Sequence, residues 1–124
     1  MASGNSLIIV RAQDGVPPAT AYATQDTRAG GSTPAEAVPL LDFDSATDEF
    51  IDFYCTLPRH YAGGGLTVRL YWAATSATSG AVVWGAAIRR IADDAEDLDG
   101  AHTYDYNTVT ATTASATGEL DYAE

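Results

Sequence analysis

The middle of the chain alternates apolar and polar side chains with the period of two that is typical of β-strands. Residues 66–74 carry Leu, Val, Leu, Trp and Ala at every second position, and residues 82–89 alternate in the same way. A loop of Ala, Thr, Ser and Gly joins the two runs. Both runs are rich in β-branched and aromatic residues, which suit a pleated, half-buried surface. The pattern predicts two strands whose Trp72 and Trp84 face each other across a hairpin as part of the core.

Further strands are predicted on both sides of this pair. Residues 50–57 have one wholly apolar face, made of Ile51, Phe53, Cys55 and Leu57. Pro58 ends this strand because proline cannot donate to a ladder. Short runs at residues 6–11, 104–108 and 118–124 are also predicted as strands. Several short strands separated by turn signals favour an all-β sandwich or barrel.

The segment of residues 12–39 has a different composition from the middle of the chain. It contains all but one of the five prolines and is rich in Ala, Thr and Gly, so it cannot bury much apolar surface. We therefore expect an extended N-terminal arm. The predicted organisation is residues 1–37 as N-terminal strand and arm, and residues 38–124 as one β-sandwich domain. The large apolar residues between Leu40 and Ile91 predict a compact core.

A helix is the alternative interpretation of residues 86–98. Four apolar residues fall there at helical spacing: Ile88, Ile91, Ala92 and Ala95. The Val-Val-Trp start of the segment favours instead a strand that continues to about Ile91. Gly85 in the middle of that strand indicates a bulge or a close backbone approach.

The charge balance limits the classes of partner. The chain has 17 acidic residues against six Arg and no Lys, a formal net charge of −11. This charge repels phosphate backbones and anionic lipids, so we expect neither nucleic acid nor membrane as a partner. No run reaches the roughly 20 apolar residues that span a bilayer. The N-terminal sequence does not read as a secretion signal, so synthesis in a cytoplasm without export by that route is expected.

Acidic clusters raise the question of a metal site. An EF-hand loop with Gly100 at its sixth position would have Ala95 first and Tyr106 last, where acidic ligands are required, so that motif fails. Two looser groups leave a calcium site open: Asp93, Asp97 and Asp99, and Asp42, Asp44 and Asp48. Solvated turns are the preferred interpretation of both groups, and we predict neither metal nor cofactor.

The sequence offers no recognisable catalytic arrangement. Cys55 is predicted to be a buried thiol, and neither His60 nor His102 is spaced to activate it. Asp52 is interpreted as a solvent-face residue rather than a general acid. The glycines at residues 63–65 lack the Lys-Ser/Thr that a phosphate-binding loop needs. We predict that the protein is not an enzyme and has no catalytic residues.

Several local sequences between residues 41 and 118 recur together in one kind of protein. They are the acidic turn at 42–49, Leu57-Pro58, Tyr61 with Gly-Gly-Gly-Leu-Thr at 63–67, Tyr71-Trp72, the Ala/Thr/Ser/Gly loops at 74–80 and 111–118, and Val-Val-Trp-Gly at 82–85. In these features the chain resembles small β-sandwich virion structural proteins of tailed bacteriophages and prophages, over about half its length. The resemblance implies a jelly-roll-like antiparallel β-sandwich and supplies no catalytic residues.

Two functions from different classes follow. The resemblance implies first a capsid decoration or cement protein, located in the virion, that binds and stabilises the lattice of the major capsid protein. Such a protein is expected to be a homo-oligomer, either a trimer or a dimer. The alternative is a carbohydrate-binding jelly-roll module of a phage tail or fibre that recognises a host surface, with Trp72 and Trp84 as candidate sugar-stacking side chains.

Overall fold

The computed structural model describes residues 6–124, where every regular element except one short 3₁₀ turn is a β-strand. The turn spans Ala12–Asp14, and the strands are β1 (Thr24–Ala29), β2 (Ala37–Asp42), β3 (Leu70–Trp72), β4 (Ala81–Ala86), β5 (Asn107–Thr112) and β6 (Asp121–Ala123). Within these residues there is no helix long and apolar enough to cross a membrane. The predicted all-β fold class is confirmed.

The strands pair two by two in antiparallel sheets, β1 with β2, β3 with β6 and β4 with β5. We call each of these two-stranded sheets a ribbon. The chain divides into an N-terminal unit that ends at Gly64 and a C-terminal unit, Gly65–Glu124. The β1–β2 ribbon lies in the first unit, and the other two ribbons lie in the second. The boundary between residues 37 and 38 that the sequence suggested stays a prediction.

The β1–β2 ribbon occupies much of the segment predicted as an arm. Its strands pair in continuous register along their whole length, and Gly30 N–H donates to the carbonyl of Glu36 (2.8 Å) at the turn. Gln25 Nε2 donates to the carbonyl of Gly15 (3.1 Å) and so ties the ribbon to the residues after the 3₁₀ turn. The extended arm over residues 12–39 is therefore not confirmed, because backbone pairing gives this proline-rich segment local structure.

The strand predicted over residues 50–57 is wrong. Two isolated bridges take its place: Val16 pairs antiparallel with Asp52, and Tyr22 pairs parallel with Phe50. Pro17-Pro18 lies between the two bridged positions. One bridge is antiparallel and the other is parallel, so the two do not form one ladder, and the two prolines have no N–H to donate between them.

In the C-terminal unit the two ribbons pack together through their tryptophans. The ring centroids of Trp72 on β3 and Trp84 on β4 are 5.9 Å apart, with the planes tilted by 59°. Ala111 on β5 and Ala123 on β6 are buried. The predicted contact between the two tryptophans is present, but it joins two ribbons rather than two strands of one hairpin, because β3 and β4 do not pair with each other.

The two bland loops of the sequence lie side by side at one end of this unit. Gly118 N–H donates to the carbonyl of Ala74 (2.8 Å), and Thr113 N–H donates to the carbonyl of Gly80 (3.0 Å). The first loop joins β3 to β4 and the second joins β5 to β6. Small side chains allow the two backbones to approach this closely. The loops therefore hold the two ribbons in place.

Several predicted element boundaries are wrong. The strand at residues 66–74 is reduced to β3, and β4 ends at Ala86 instead of Ile91. Ala86 pairs with Asn107, the first residue of β5, and the ladder does not continue to Ala87 and Tyr106, the next residues in register. The helix considered for residues 86–98 is absent as well, and turns occupy part of that segment. Likewise, no strand forms at residues 6–11, and the C-terminal strand is the short β6.

Gly85 does not mark a bulge. It pairs with Thr108 in the unbroken register of β4 and β5, and a methyl group at this position would meet Thr108 and Tyr106 at 3.6 Å, an ordinary contact. The prediction of a bulge or a close backbone approach is wrong.

The expected compact core between Leu40 and Ile91 is not formed by large side chains. The buried residues of the described chain are small: Gly15, Ala23, Ala111 and Ala123. Large apolar side chains remain exposed in both units, among them Ile9, Tyr54 and Leu98. A two-stranded ribbon covers little area, and such ribbons are marginally stable alone.

Candidate interaction surfaces

The outer face of the β4–β5 ribbon is exposed along its whole length. Alternate residues of the two strands point away from the tryptophans and pair across the ribbon: Ala81 with Thr112, Val83 with Thr110 and Gly85 with Thr108. We call these six residues the threonine face. None of the six is charged, and all are small or β-branched, so the surface is flat and offers hydroxyl groups between apolar patches.

An aromatic row continues this surface. Tyr106 lies beside Gly85, within 3.6 Å of where a side chain on that glycine would begin. The rings of Tyr106 and Tyr104 are 6.0 Å apart, and His102 meets Tyr104 edge to face at 4.8 Å. Both tyrosines are about two-fifths exposed. Exposed tyrosines of this kind are enriched where proteins bind other chains.

A second exposed cluster lies on the outer face of the β3–β6 ribbon. Tyr71 and Tyr122 are directly paired across the strands, with ring centroids 6.4 Å apart. The guanidinium of Arg69 lies over the Tyr122 ring at 4.9 Å, and it also forms an ion pair with Glu124. Sequence reasoning missed this cluster. The alternation places Tyr71 on the outer face, but its partner becomes known only from the pairing of β3 with β6.

The acidic segment after β4 is held by hydrogen bonds from Arg89, which lies in the same unit. Arg89 donates from Nη2 to the carbonyl of Asp97 (2.6 Å) and from Nη1 to that of Leu98 (3.4 Å). The backbone N–H of Ala92 donates to the carboxylate of Glu96 (2.5 Å). The segment is thus an ordered turn built around Arg89.

Neither acidic group considered as a calcium site forms a ligand cluster. Among residues 6–124, no three His, Cys, Asp or Glu side chains come close enough together to hold a metal ion. In the other acidic turn, Asp44 accepts from Ala46 N–H (2.7 Å), and Glu49 accepts from Asp44 N–H (2.7 Å). These carboxylates shape turns through backbone hydrogen bonds.

The residues weighed for catalysis are dispersed. Cys55 is exposed, so the prediction of a buried thiol is wrong: it requires the strand at 50–57, which does not form. His60 is exposed in a turn of the N-terminal unit, whereas His102 meets the ring of Tyr104 edge to face in the other unit. Asp52 is partly buried and bridges to Val16 through its backbone.

The N-terminal unit carries a shallow depression of about 260 Å³. Its walls are polar and apolar side chains of the 3₁₀ turn and the β1–β2 ribbon: Gln13, Gln25, Asp26, Thr27, Pro39 and Leu40. Asp26 is its one ionisable side chain, and that carboxylate accepts from Thr27 N–H (2.7 Å). The depression lacks the second acid or base that carboxylate catalysis needs.

The total exposed area exceeds what folded proteins of this mass expose. The chain has 9,896 Å² of accessible surface at a mass of 13.0 kDa. A folded monomer of that mass exposes about 6,300 Å², and two separate units of half the mass expose about 7,700 Å² together. Subtracting the larger of these two figures from the exposed area of the chain, and a further allowance of about 700 Å² for residues 1–5, leaves a surplus of about 1,500 Å².

Comparison of this chain with protein-family models, with curated proteins and with solved structures gives no match.

Proposed function

We propose that the chain is a bacteriophage virion structural protein, a capsid decoration or cement protein that binds and stabilises the lattice of the major capsid protein. The observation that carries this proposal is the surplus of exposed surface, together with the large apolar side chains that remain exposed in both units. Each partner in a standard protein–protein interface contributes about 800 Å², so the surplus is enough for contact with more than one neighbouring chain. A protein that works by adhesion needs such surfaces and no reaction chemistry.

The charge distribution supports the same role. Each chain has a net charge of −11, so particles that display many copies repel one another in solution. The threonine face, in contrast, is free of charge and suits contact with protein. We propose that the chain acts as a homo-oligomer, a trimer or a dimer, and is located in the virion.

The finer architecture belongs to the proposal as well. We propose that the ribbons are parts of a jelly-roll-like β-sandwich, with the packing of Trp72 on Trp84 at its centre. Isolated two-stranded ribbons gain stability when further strands or a covering layer pack on them. Association with neighbouring chains supplies that cover.

A carbohydrate-binding module of a tail or fibre is the second candidate, favoured by one observation. Tyr71 and Tyr122 are 63% and 55% exposed and lie next to the ion pair of Arg69 with Glu124. Aromatic rings with adjacent charged donors and acceptors suit the apolar face and hydroxyl groups of a sugar. Trp72 and Trp84 suit this role less well, because each is partly buried against the other.

Capsid melting separates the two candidates. We expect full heads stripped of the chain to melt at a lower temperature than heads that carry it, and to regain the higher temperature when the purified chain is added back. Binding to a glycan array that is lost in Tyr71→Ala and Tyr122→Ala, with no effect on head melting, would replace the first proposal by the second.

A further inference from the structure

We infer that the threonine face, the outer face of the β4–β5 ribbon, is where a second copy of this chain docks in a two-fold contact. The inference rests on the proposed homo-oligomer and names the surface that forms it. A second copy is a demanding partner, because it carries the same net charge of −11. Two such chains can approach closely only where their carboxylates are few.

The threonine face meets this electrostatic requirement. Neither strand of the ribbon contains a charged residue over Ala81–Ala86 or Asn107–Thr112. A basic partner would instead be attracted to the acidic parts of the surface and would gain nothing from a neutral ribbon. The absence of charge therefore favours a copy of the chain over a basic partner at this place.

The chemistry of the face is self-complementary. A threonine hydroxyl both donates and accepts a hydrogen bond. Across a two-fold axis, the hydroxyl of one copy can therefore bond to the hydroxyl of the same residue in the other copy. Val83 and Thr110 form the middle one of the three outward-facing pairs. In a contact centred on the face, the two copies of Thr110 lie close to the axis, with Val83 of each chain packed beside them.

The aromatic row enlarges the surface that is available to a partner. The face itself covers only two short strands. Tyr106 and Tyr104 extend it beyond Gly85 and remain exposed. Tyrosine is enriched among the residues that contribute most to binding in protein interfaces.

The ribbon also lacks the protection that monomeric proteins give to exposed strands. Lysine, proline and inward-pointing charges usually keep such strands from associating. The C-terminal unit, residues 65–124, contains no lysine and no proline, and β4 and β5 are both edge strands of a two-stranded sheet. The edges beside the threonine face therefore carry no lysine or proline that would keep a second chain away.

A charged substitution at the centre of the threonine face tests the inference. In Thr110→Asp two like charges would meet near the axis, and we expect self-association of the purified full-length chain to weaken about a hundredfold or more, measured by sedimentation equilibrium. Thr27→Asp is the matched control, since Thr27 is an exposed strand threonine of the other unit. It should associate like the unmodified chain.

Cross-linking tests the same contact without weakening it. In a Cys55→Ser background, Thr110→Cys should form a disulfide-linked dimer on mild oxidation, whereas Thr27→Cys should not. An unmodified chain that stays monomeric, a trimer without this cross-link, or equal association of the two Asp variants would overturn the inference. A monomeric chain whose Thr110→Asp variant fails to bind heads would assign the face to the capsid protein instead. None of these results by itself contradicts a role in the virion, which head melting tests separately.

Discussion

At the scale of single residues, the contact of Trp72 with Trp84 joins the two C-terminal ribbons. An aromatic pair contributes about 0.5–1.5 kcal/mol beyond the area it buries. Burial of Trp72 also costs free energy, because its indole N–H is buried with no hydrogen-bond acceptor among the described residues. An unsatisfied buried donor costs about 1–3 kcal/mol. The ring, rather than its nitrogen, is what stabilises the unit.

Two substitutions at this position separate the ring from its N–H. We expect Trp72→Ala to lower the free energy of unfolding by about 2–4 kcal/mol, since Trp72 is partly rather than fully buried. Trp72→Phe keeps an aromatic contact and removes the unsatisfied donor, so it should change stability by less than about 1 kcal/mol. Urea denaturation at one fixed protein concentration measures both. Equal losses in the two variants would contradict this explanation.

Cys55 shows that an alternating pattern of apolar and polar residues does not determine whether the apolar face is buried. The pattern of residues 50–57 correctly separates two faces, but it does not say whether either face finds a partner. In the structure as described, this segment makes two isolated bridges of opposite sense instead of a ladder. On the apolar side of the segment, Phe53, Cys55 and Leu57 consequently remain exposed.

The thiol of Cys55 should therefore react readily in the native protein. We expect a small aromatic disulfide reagent to modify one thiol per chain at a rate within about tenfold of the rate in denaturant, because no local opening has to precede the reaction. Absorbance of the released thiolate follows the reaction. Strong protection that disappears only on unfolding would show that Cys55 is buried after all.

At the scale of elements, the pairing of strands is the feature that the sequence left undetermined. Residues 66–74 and 82–89 read as neighbours in a hairpin, yet β3 pairs with β6 and β4 with β5. The tendency to form a strand is local and was visible, as were the contact of the tryptophans and the all-β class. The partner of each strand depends on residues far along the chain, and that choice decides which side chains share an outer face. The threonine face follows from the alternation in Thr-Val-Thr-Ala-Thr once β5 is known to be paired on β4, whereas the cluster at Tyr71 needed the structure.

The paired loops should be sensitive to backbone substitution. Gly80 has a φ of +96°, and its carbonyl accepts from Thr113 N–H. We expect Gly80→Ala to destabilise the protein by about 1–2 kcal/mol, because an L-residue is strained at positive φ. Gly31 is a matched control, since its φ lies outside that region and no atom would meet its methyl group. Gly31→Ala should leave the thermal midpoint unchanged or raise it, and an equal fall in both variants would contradict the role of the loop.

At the scale of the whole molecule, exposed area and charge act in opposite directions. The surplus area favours association through the hydrophobic effect. The net charge of −11 opposes association between copies at long range. A neutral docking face reconciles the two, since contact then places apolar and hydroxyl groups together while the carboxylates stay in solvent.

Salt should therefore strengthen self-association. Raising the ionic strength from about 0.01 M to about 0.15 M shortens the Debye length from about 30 Å to about 8 Å and screens the repulsion between copies. We expect the dissociation constant of the oligomer to fall several-fold over this range, as measured by sedimentation velocity. Dissociation on addition of salt would indicate instead that opposite charges hold the copies together, and would contradict a neutral interface.

The copy number of the chain on whole, purified virions tests the central claim most directly, because a protein that covers a lattice is repeated with the symmetry of that lattice. Quantitative mass spectrometry against the major capsid protein gives the number. The account predicts tens to hundreds of copies per particle, in a fixed ratio to the capsid protein. A handful of copies, or none, would contradict it.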